Sequence, residues 1–136
     1  TPGWGLGCLN SLEMGGKLRA SGSASLSNDT LALVGSQMLN SFALYFQGTI
    51  RHSGGNGVTF GDGKLCAGGT ITRLGRKPNT MGASRYPSAG DASISSQGSI
   101  TSPGTRTYQA WYRNAAAFCT ASNYNMTNAV EVLWGM

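Results

Sequence analysis

The sequence predicts an all-β single domain, a two-sheet β-sandwich or jelly roll built from about eight or nine short antiparallel strands. Three observations carry that expectation. Short segments alternate apolar and polar residues with the period of two that a half-buried strand needs. Clusters of Gly, Ser, Asn, Asp and Pro separate these segments at regular intervals, and glycine alone contributes 21 of 136 residues. Apolar residues never recur at the three-and-four spacing of an amphipathic helix, because Gly or Ser interrupts each candidate window.

Taken along the chain, Lys17 to Ser21 and Thr30 to Val34 form a first pair, joined through a Ser-rich segment with Asn28-Asp29 as its turn. Phe42 to Arg51 is the longest strand, placing Phe42, Leu44 and Phe46 on one face and Ala43, Tyr45 and Gln47 on the other. Val58 to Phe60 and Lys64 to Ala67 flank Gly61-Asp62-Gly63, a hairpin signal because Asp-Gly accepts positive φ at little cost. Thr70 to Leu74 alternates again. Gly75 to Gly90 holds Pro78 and Pro87 and predicts a long connection, and Ala92 to Ile100 a weaker strand broken at Gly98. Pro103-Gly104 turns the chain into Thr105 to Arg113, the most aromatic strand. A loop from Asn114 to Asn125 follows, and Met126 to Trp134 is the last strand.

The chain has the length of one domain, 1–136, with 1–12 as an extended N-terminal arm poor in strand pattern. No apolar run approaches the roughly 20 residues of a membrane-spanning helix, so no membrane span is expected. No leader is visible, since Thr1 opens directly on Pro2, Gly3 and Trp4; for an exported chain the leader has been removed or is not included in this sequence. The net charge of +5 arises from ten Lys and Arg against Glu13, Asp29, Asp62, Asp91 and Glu131. The basic residues are scattered, with one cluster at Arg73, Arg76 and Lys77, whereas a nucleic-acid binder concentrates them on one face. Nucleic acid is therefore not an expected partner.

Cys8, Cys66 and Cys119 allow three alternative single pairings, and no CxxC spacing of a metal site occurs. Cys66 ends an alternating strand and Cys119 follows the aromatic one, places that can meet across a sandwich, so Cys66–Cys119 is the preferred disulfide. Closing a loop of about 50 residues contributes about 4 kcal/mol in the chain-entropy description. Cys8 then lacks a partner. It is either a buried free thiol acting as a small hydrophobe or a cysteine bonded to another chain or to a segment outside the sequence.

Catalytic chemistry is not expected. A Ser-His-Asp site needs a base, and His52 is the only histidine, set at a strand end between Arg51 and Ser53. Asp29 and Asp62 suit turns, Asp91 follows Gly90 in a loop, and Glu131 alternates with Val130 and Val132 toward solvent, leaving no carboxylate pair. No loop gathers the oxygen ligands of calcium, and the Gly-rich turns lack the helix and Gly-Lys-Ser/Thr ending of a phosphate loop. No cofactor is expected. Asn28-Asp29-Thr30 and Asn125-Met126-Thr127 match the glycosylation acceptor pattern. The aromatics Trp4, Tyr108, Trp111 and Tyr112 are candidates for recognition, offering stacking faces to sugars, with core packing as the competing role. Tyr108 and Tyr112 share a strand face and Trp111 lies opposite.

An ordered series of motifs adds a resemblance. It begins at Gly7-Cys8-Leu9-Asn10-Ser11 and runs through Tyr45-Phe46-Gln47-Gly48-Thr49, Val58-Thr59-Phe60-Gly61-Asp62-Gly63 and Leu65-Cys66-Ala67-Gly68-Gly69. It continues through Trp111-Tyr112-Arg113-Asn114-Ala115-Ala116 and Phe118-Cys119-Thr120 to Asn125-Met126-Thr127-Asn128. The series resembles an uncharacterised Cys-containing β-rich domain that recurs in secreted proteins of planctomycetes, myxobacteria and similar environmental bacteria. The resemblance implies export, a β-rich fold, disulfides and no assigned chemistry. Such domains carry a Cys-x-Cys-Gly-Asn segment shortly before the position of Cys8, which this sequence does not contain, and that difference implies an intermolecular or missing partner for Cys8.

Together these readings lead to a secreted or cell-surface, non-catalytic structural or adhesive module that associates with copies of itself or a larger surface protein, in the extreme as a filament. The alternative is a carbohydrate-binding module that meets polysaccharide through exposed aromatics.

Overall fold

A computed structural model describes residues 16–38, 42–51, 58–60, 63–65, 67–88, 90–113 and 124–136. Two antiparallel sheets pack face to face as a β-sandwich. The smaller sheet holds β1 (Lys17–Ser21), β2 (Ala32–Ser36) and β9 (Ser84–Tyr86) in the order β1-β2-β9. The larger is centred on β3 (Phe42–Gly48) and β10 (Gly104–Arg113), with β8 (Thr72–Pro78) beyond β3. β11 (Tyr124–Met126) and β12 (Val130–Trp134) pair in succession along the other side of β10. Two short pairs complete the strands: β4 (Ile50–Arg51) with β7 (Ala67–Gly68), and β5 (Val58–Phe60) with β6 (Gly63–Leu65).

The expected first pair is present, with Lys17 opposite Ser36 and Ser21 opposite Ala32. The hairpin across Gly61-Asp62 is present too, with Phe60 opposite Gly63. Four expectations need correction. Phe42 to Arg51 is not one strand and not the longest: it ends at Gly48 as β3, Ile50–Arg51 pairs with β7 as β4, and β10 is longer with 10 residues. The connection from Gly75 to Gly90 contains the second half of β8 and all of β9. Pro78 sits at the end of an edge strand, where its missing N–H disturbs no ladder. Ala92 to Ile100 is not a strand: Ile94–Gln97 forms one helical turn, α1, whose N-cap Ser93 accepts a hydrogen bond from the Ser96 amide. Asp29 Oδ2 accepts a second, from the Ser95 amide at 2.8 Å, so two side chains satisfy amides that a helix start leaves free. Met126 to Trp134 is not one strand, because Thr127 leaves the ladder: its Oγ1 accepts from the Ala110 amide and donates to the Asn128 carbonyl.

Between the sheets, Leu18, Leu33 and Tyr86 meet Ala43, Tyr45, Tyr108, Ala110, Tyr112 and Trp134, with Ile94 and Ile100 filling one end. The face of β3 that enters the core is thus Ala43, Tyr45 and Gln47, while Phe42 points outward. A bulge on β8 turns Leu74 inward, since Tyr45 pairs with Gly75 and Phe46 with Arg73. Two glycines make room for core tyrosines. A Cβ on Gly75 would stand 2.7 Å from the Tyr86 ring, and one on Gly35 would stand 2.7 Å from the Tyr45 hydroxyl. Part of the high glycine content therefore serves close packing as well as turns.

The sandwich closes differently on its two sides. On one, β8 passes to β9 through a tight turn in which Thr80 and Ala83 exchange backbone hydrogen bonds of 2.8 and 3.0 Å. Met81 and Gly82 occupy its centre, both at positive φ (53° and 77°). On the other, β1 and the segment after it run parallel to the end of the chain. Asn128 spans Leu18, accepting from its amide at 2.8 Å and donating to its carbonyl at 3.0 Å. Further along, Ser25 bridges Gly135 in parallel, with Leu26 donating to the Gly135 carbonyl and Gly135 to the Ala24 carbonyl.

Candidate functional site

The sequence-predicted residues separate into three groups. Cys8, Cys66, Cys119, Trp4 and His52 lie outside the described residues, as does the arm 1–12. Tyr108 and Tyr112 are each 0% exposed. This corrects their place among the recognition aromatics: neither ring offers a face to a sugar. Trp111 is half-buried on the opposite side of β10, paired across to Leu44 of β3.

Tyr108 is buried because its hydroxyl has a complete set of partners. It accepts from Trp134 Nε1 at 2.8 Å and donates to Gln47 Oε1 at 2.8 Å, while Gln47 Nε2 donates to the Gly98 carbonyl at 3.1 Å. This chain of bonds links β12, β10, β3 and the end of α1 through the core, and each buried polar atom in it has a mate. Burial raises the Tyr108 pKa far above the ordinary tyrosine value, so the hydroxyl stays protonated and can donate. Tyr45 uses its hydroxyl similarly, accepting from the Gly35 amide and bonding with Ser84 Oγ.

Asp29 and Asp91 are both engaged in holding the fold. Asp29 holds Leu31 and Ser95 amides. Asp91 meets Lys77 in an ion pair and accepts from the Ser88 amide at 2.9 Å and its hydroxyl at 3.0 Å. The Lys77 hydrogen bond first, then the Ser88 amide, hold the Asp91 carboxyl at about 2, below its usual 3.8. Glu131 stands exposed on β12. Among the described residues no three His, Cys, Asp or Glu side chains gather as a metal site would need, and no helix is long and apolar enough to cross a membrane. The Thr127 hydroxyl of Asn125-Met126-Thr127 is buried and doubly bonded.

What remains available lies on the two outward faces. On the larger sheet, Phe46, Thr107 and Gln109 point away from the core and are still buried, while β4 and β7 lie against β3 and β10. Beyond that cover, Phe42 is 44% exposed and carries the Arg76 guanidinium 4.4 Å from its ring centre, a cation–π contact. Register sets Arg76 opposite Leu44, and Leu44 opposite Trp111, so an apolar shelf with a cationic rim runs across β8, β3 and β10.

On the smaller sheet the outward face is cationic. Arg19 is opposite Val34, and Val34 opposite Arg85; Lys17 shares the face two residues before Arg19. Sequence reasoning found the local Arg73, Arg76, Lys77 cluster and missed this one. Its members come from β1 and β9, which only the fold brings together, and the alternation of Lys17 and Arg19 about buried Leu18 was the single local signal. No family model, no curated protein and no solved structure matches the chain, so the resemblance drawn from the ordered motifs stands on those motifs alone.

Proposed function

We propose that this chain is a non-catalytic extracellular structural or adhesive module that works against a larger surface, built from copies of itself or from another polymer. The observation that supports this reading is how the polar groups are divided. Tyr45, Tyr108, Gln47, Asn128, Asp29 and Asp91 all bond within the fold, whereas cations and large apolar side chains such as Phe42 face outward. A fold that turns its hydrogen-bonding groups inward and its cations outward is suited to holding on rather than to transforming a substrate. Antibody detection of the protein in cell-surface, medium and cytoplasmic fractions tests the reading, together with reducing and non-reducing electrophoresis and electron microscopy of native material. Surface-associated protein is expected; a cytoplasmic monomer under both conditions would overturn it.

A second reading, carbohydrate binding through aromatics, keeps Trp111 and gains Phe42, because these two flank Leu44 on one shelf. Polysaccharide pull-down with Trp111→Ala, Phe42→Ala and Trp4→Ala decides it. Equal retention of wild type and all three variants would end it.

A further inference from the structure

The outward face of the smaller sheet has a charge arrangement that the fold itself does not use. Arg19, Val34 and Arg85 stand in one row across β1, β2 and β9, and directly opposed residues project to the same side. Lys17 stands beside Arg19 on the same strand face. With strands about 4.8 Å apart and a rise of about 3.4 Å per residue, Lys17 and Arg19 stand about 7 Å apart, Arg19 and Arg85 about 10 Å, and Lys17 and Arg85 about 12 Å. All three are exposed, and Ser21, Val34 and Ser36 fill the space around them. The Lys17 and Arg19 charges lie within the Debye length of about 8 Å at physiological salt and repel, and Arg85 adds a third like charge just beyond it. Of the described acids none answers them: Asp29 is bonded to Ser95, Asp91 to Lys77, and Glu131 sits on the larger sheet opposite Thr107.

We propose that this face binds an acidic polysaccharide, with Arg19, Arg85 and Lys17 receiving its carboxylate or sulfate groups. The proposal rests on the surface reading above and names the partner chemistry for one face. A guanidinium offers a planar fork that takes a carboxylate or sulfate through two parallel hydrogen bonds. Cations fixed on a sheet keep a constant spacing, which suits a linear polymer whose charge repeats along its length. Single-stranded nucleic acid binds through aromatic platforms as well as cations, and no described residue of this face is aromatic. Duplex DNA is read by an element that enters a groove, which a flat sheet face is not. An anionic lipid surface is held by cations together with inserted apolar groups, and half-buried Val34 supplies none. A second copy is a poor occupant because no described face carries the matching acids.

Binding of the full chain to polygalacturonate, dextran sulfate and neutral dextran, measured by affinity electrophoresis over a range of salt, tests the proposal. Two charge-matched pairs are compared: Arg19→Gln with Arg85→Gln, and Arg73→Gln with Arg106→Gln, each checked for folding by thermal unfolding. The expected result is binding to the two acidic polymers only, weakened about tenfold or more by the first pair and within about twofold by the second. Equal weakening by both pairs would mean net charge alone and would overturn the site. So would no binding by the wild type, or tighter binding to duplex DNA or to phosphatidylserine vesicles run alongside. Those failures leave the extracellular reading standing, which falls only if the protein is retained inside the cell.

Discussion

The two sides of the sandwich solve the same problem with different materials. At the β8–β9 corner the strands that must be joined follow one another in sequence, and four residues, Thr80 to Ala83, carry the chain from one sheet to the other. At the β1–β12 seam the partners are 110 residues apart, and a side chain does what backbone pairing does elsewhere. Asn128 presents one acceptor and one donor to Leu18, as a neighbouring strand would. The corner tolerates poor local chemistry because connectivity holds it, even placing Met81, 90% exposed, at φ 53°. The seam is not joined by a turn, and its described contacts are hydrogen bonds. The smaller sheet is therefore secured to the larger by a turn on one side and by chosen polar contacts on the other.

The largest expected effect follows from removing the seam's main contact. Asn128→Ala leaves the buried Leu18 amide and carbonyl without partners, which destabilises the fold by about 3 kcal/mol, read as a lowered denaturant midpoint with unchanged slope. An unchanged midpoint would show that the seam is held elsewhere. Next is Tyr108→Phe, which strands Trp134 Nε1 and Gln47 Oε1 in the core and costs about 2 kcal/mol by the same measurement. At the corner the sign reverses. Met81→Asn puts a residue that accepts the left-handed region at the first central position of the turn, ahead of Gly82, and stabilises by about 1 kcal/mol. A drop in melting temperature would instead mean that the Met81 side chain contributes to the fold.

The smallest effect concerns the ion pair beside the corner. The folded pKa of Asp91 is about 2, below its usual 3.8, so its contribution is fully present above pH 4 and is lost as pH falls through about 2. Asp91→Asn flattens the stability profile across that acid window and leaves its shape above pH 5 unchanged. A profile that stays steep between pH 4 and 2 in the variant would remove Asp91 from the account.

Much of the fold was legible where a segment is both alternating and bounded by turn residues. Lys17 to Ser21 matches β1, and the aromatic strand from Thr105 to Arg113 agrees with β10 apart from Gly104. Legibility failed where tertiary contacts outweighed local signals. Ile94 reads equally well as strand or helix, and the carboxylate of Asp29, which favours the helix, comes from a distant turn. β9 is short and precedes Pro87, and its place is given by pairing with Leu33, Val34 and Gly35. The sequence leaves recognition and core packing open for Tyr108 and Tyr112, and burial decides for the core. Alternation showed that Tyr108 and Tyr112 share a face, but the partners that bury Tyr108, Gln47 and Trp134, lie on other strands. The cationic face was hidden because Arg85 joins Lys17 and Arg19 only through β2.

The seam also imposes an order of events on synthesis. Leu18 is made 110 residues before Asn128, so on a growing chain β1 has its partner β2 early but keeps an uncovered edge until almost the whole sandwich has been made. Contacts this distant in sequence form slowly, and an open strand edge invites pairing with other chains in the interval. The exposed Lys17 and Arg19 flank that edge, and their charge resists such pairing. Residues that serve a ligand in the finished protein would thereby also protect the nascent one.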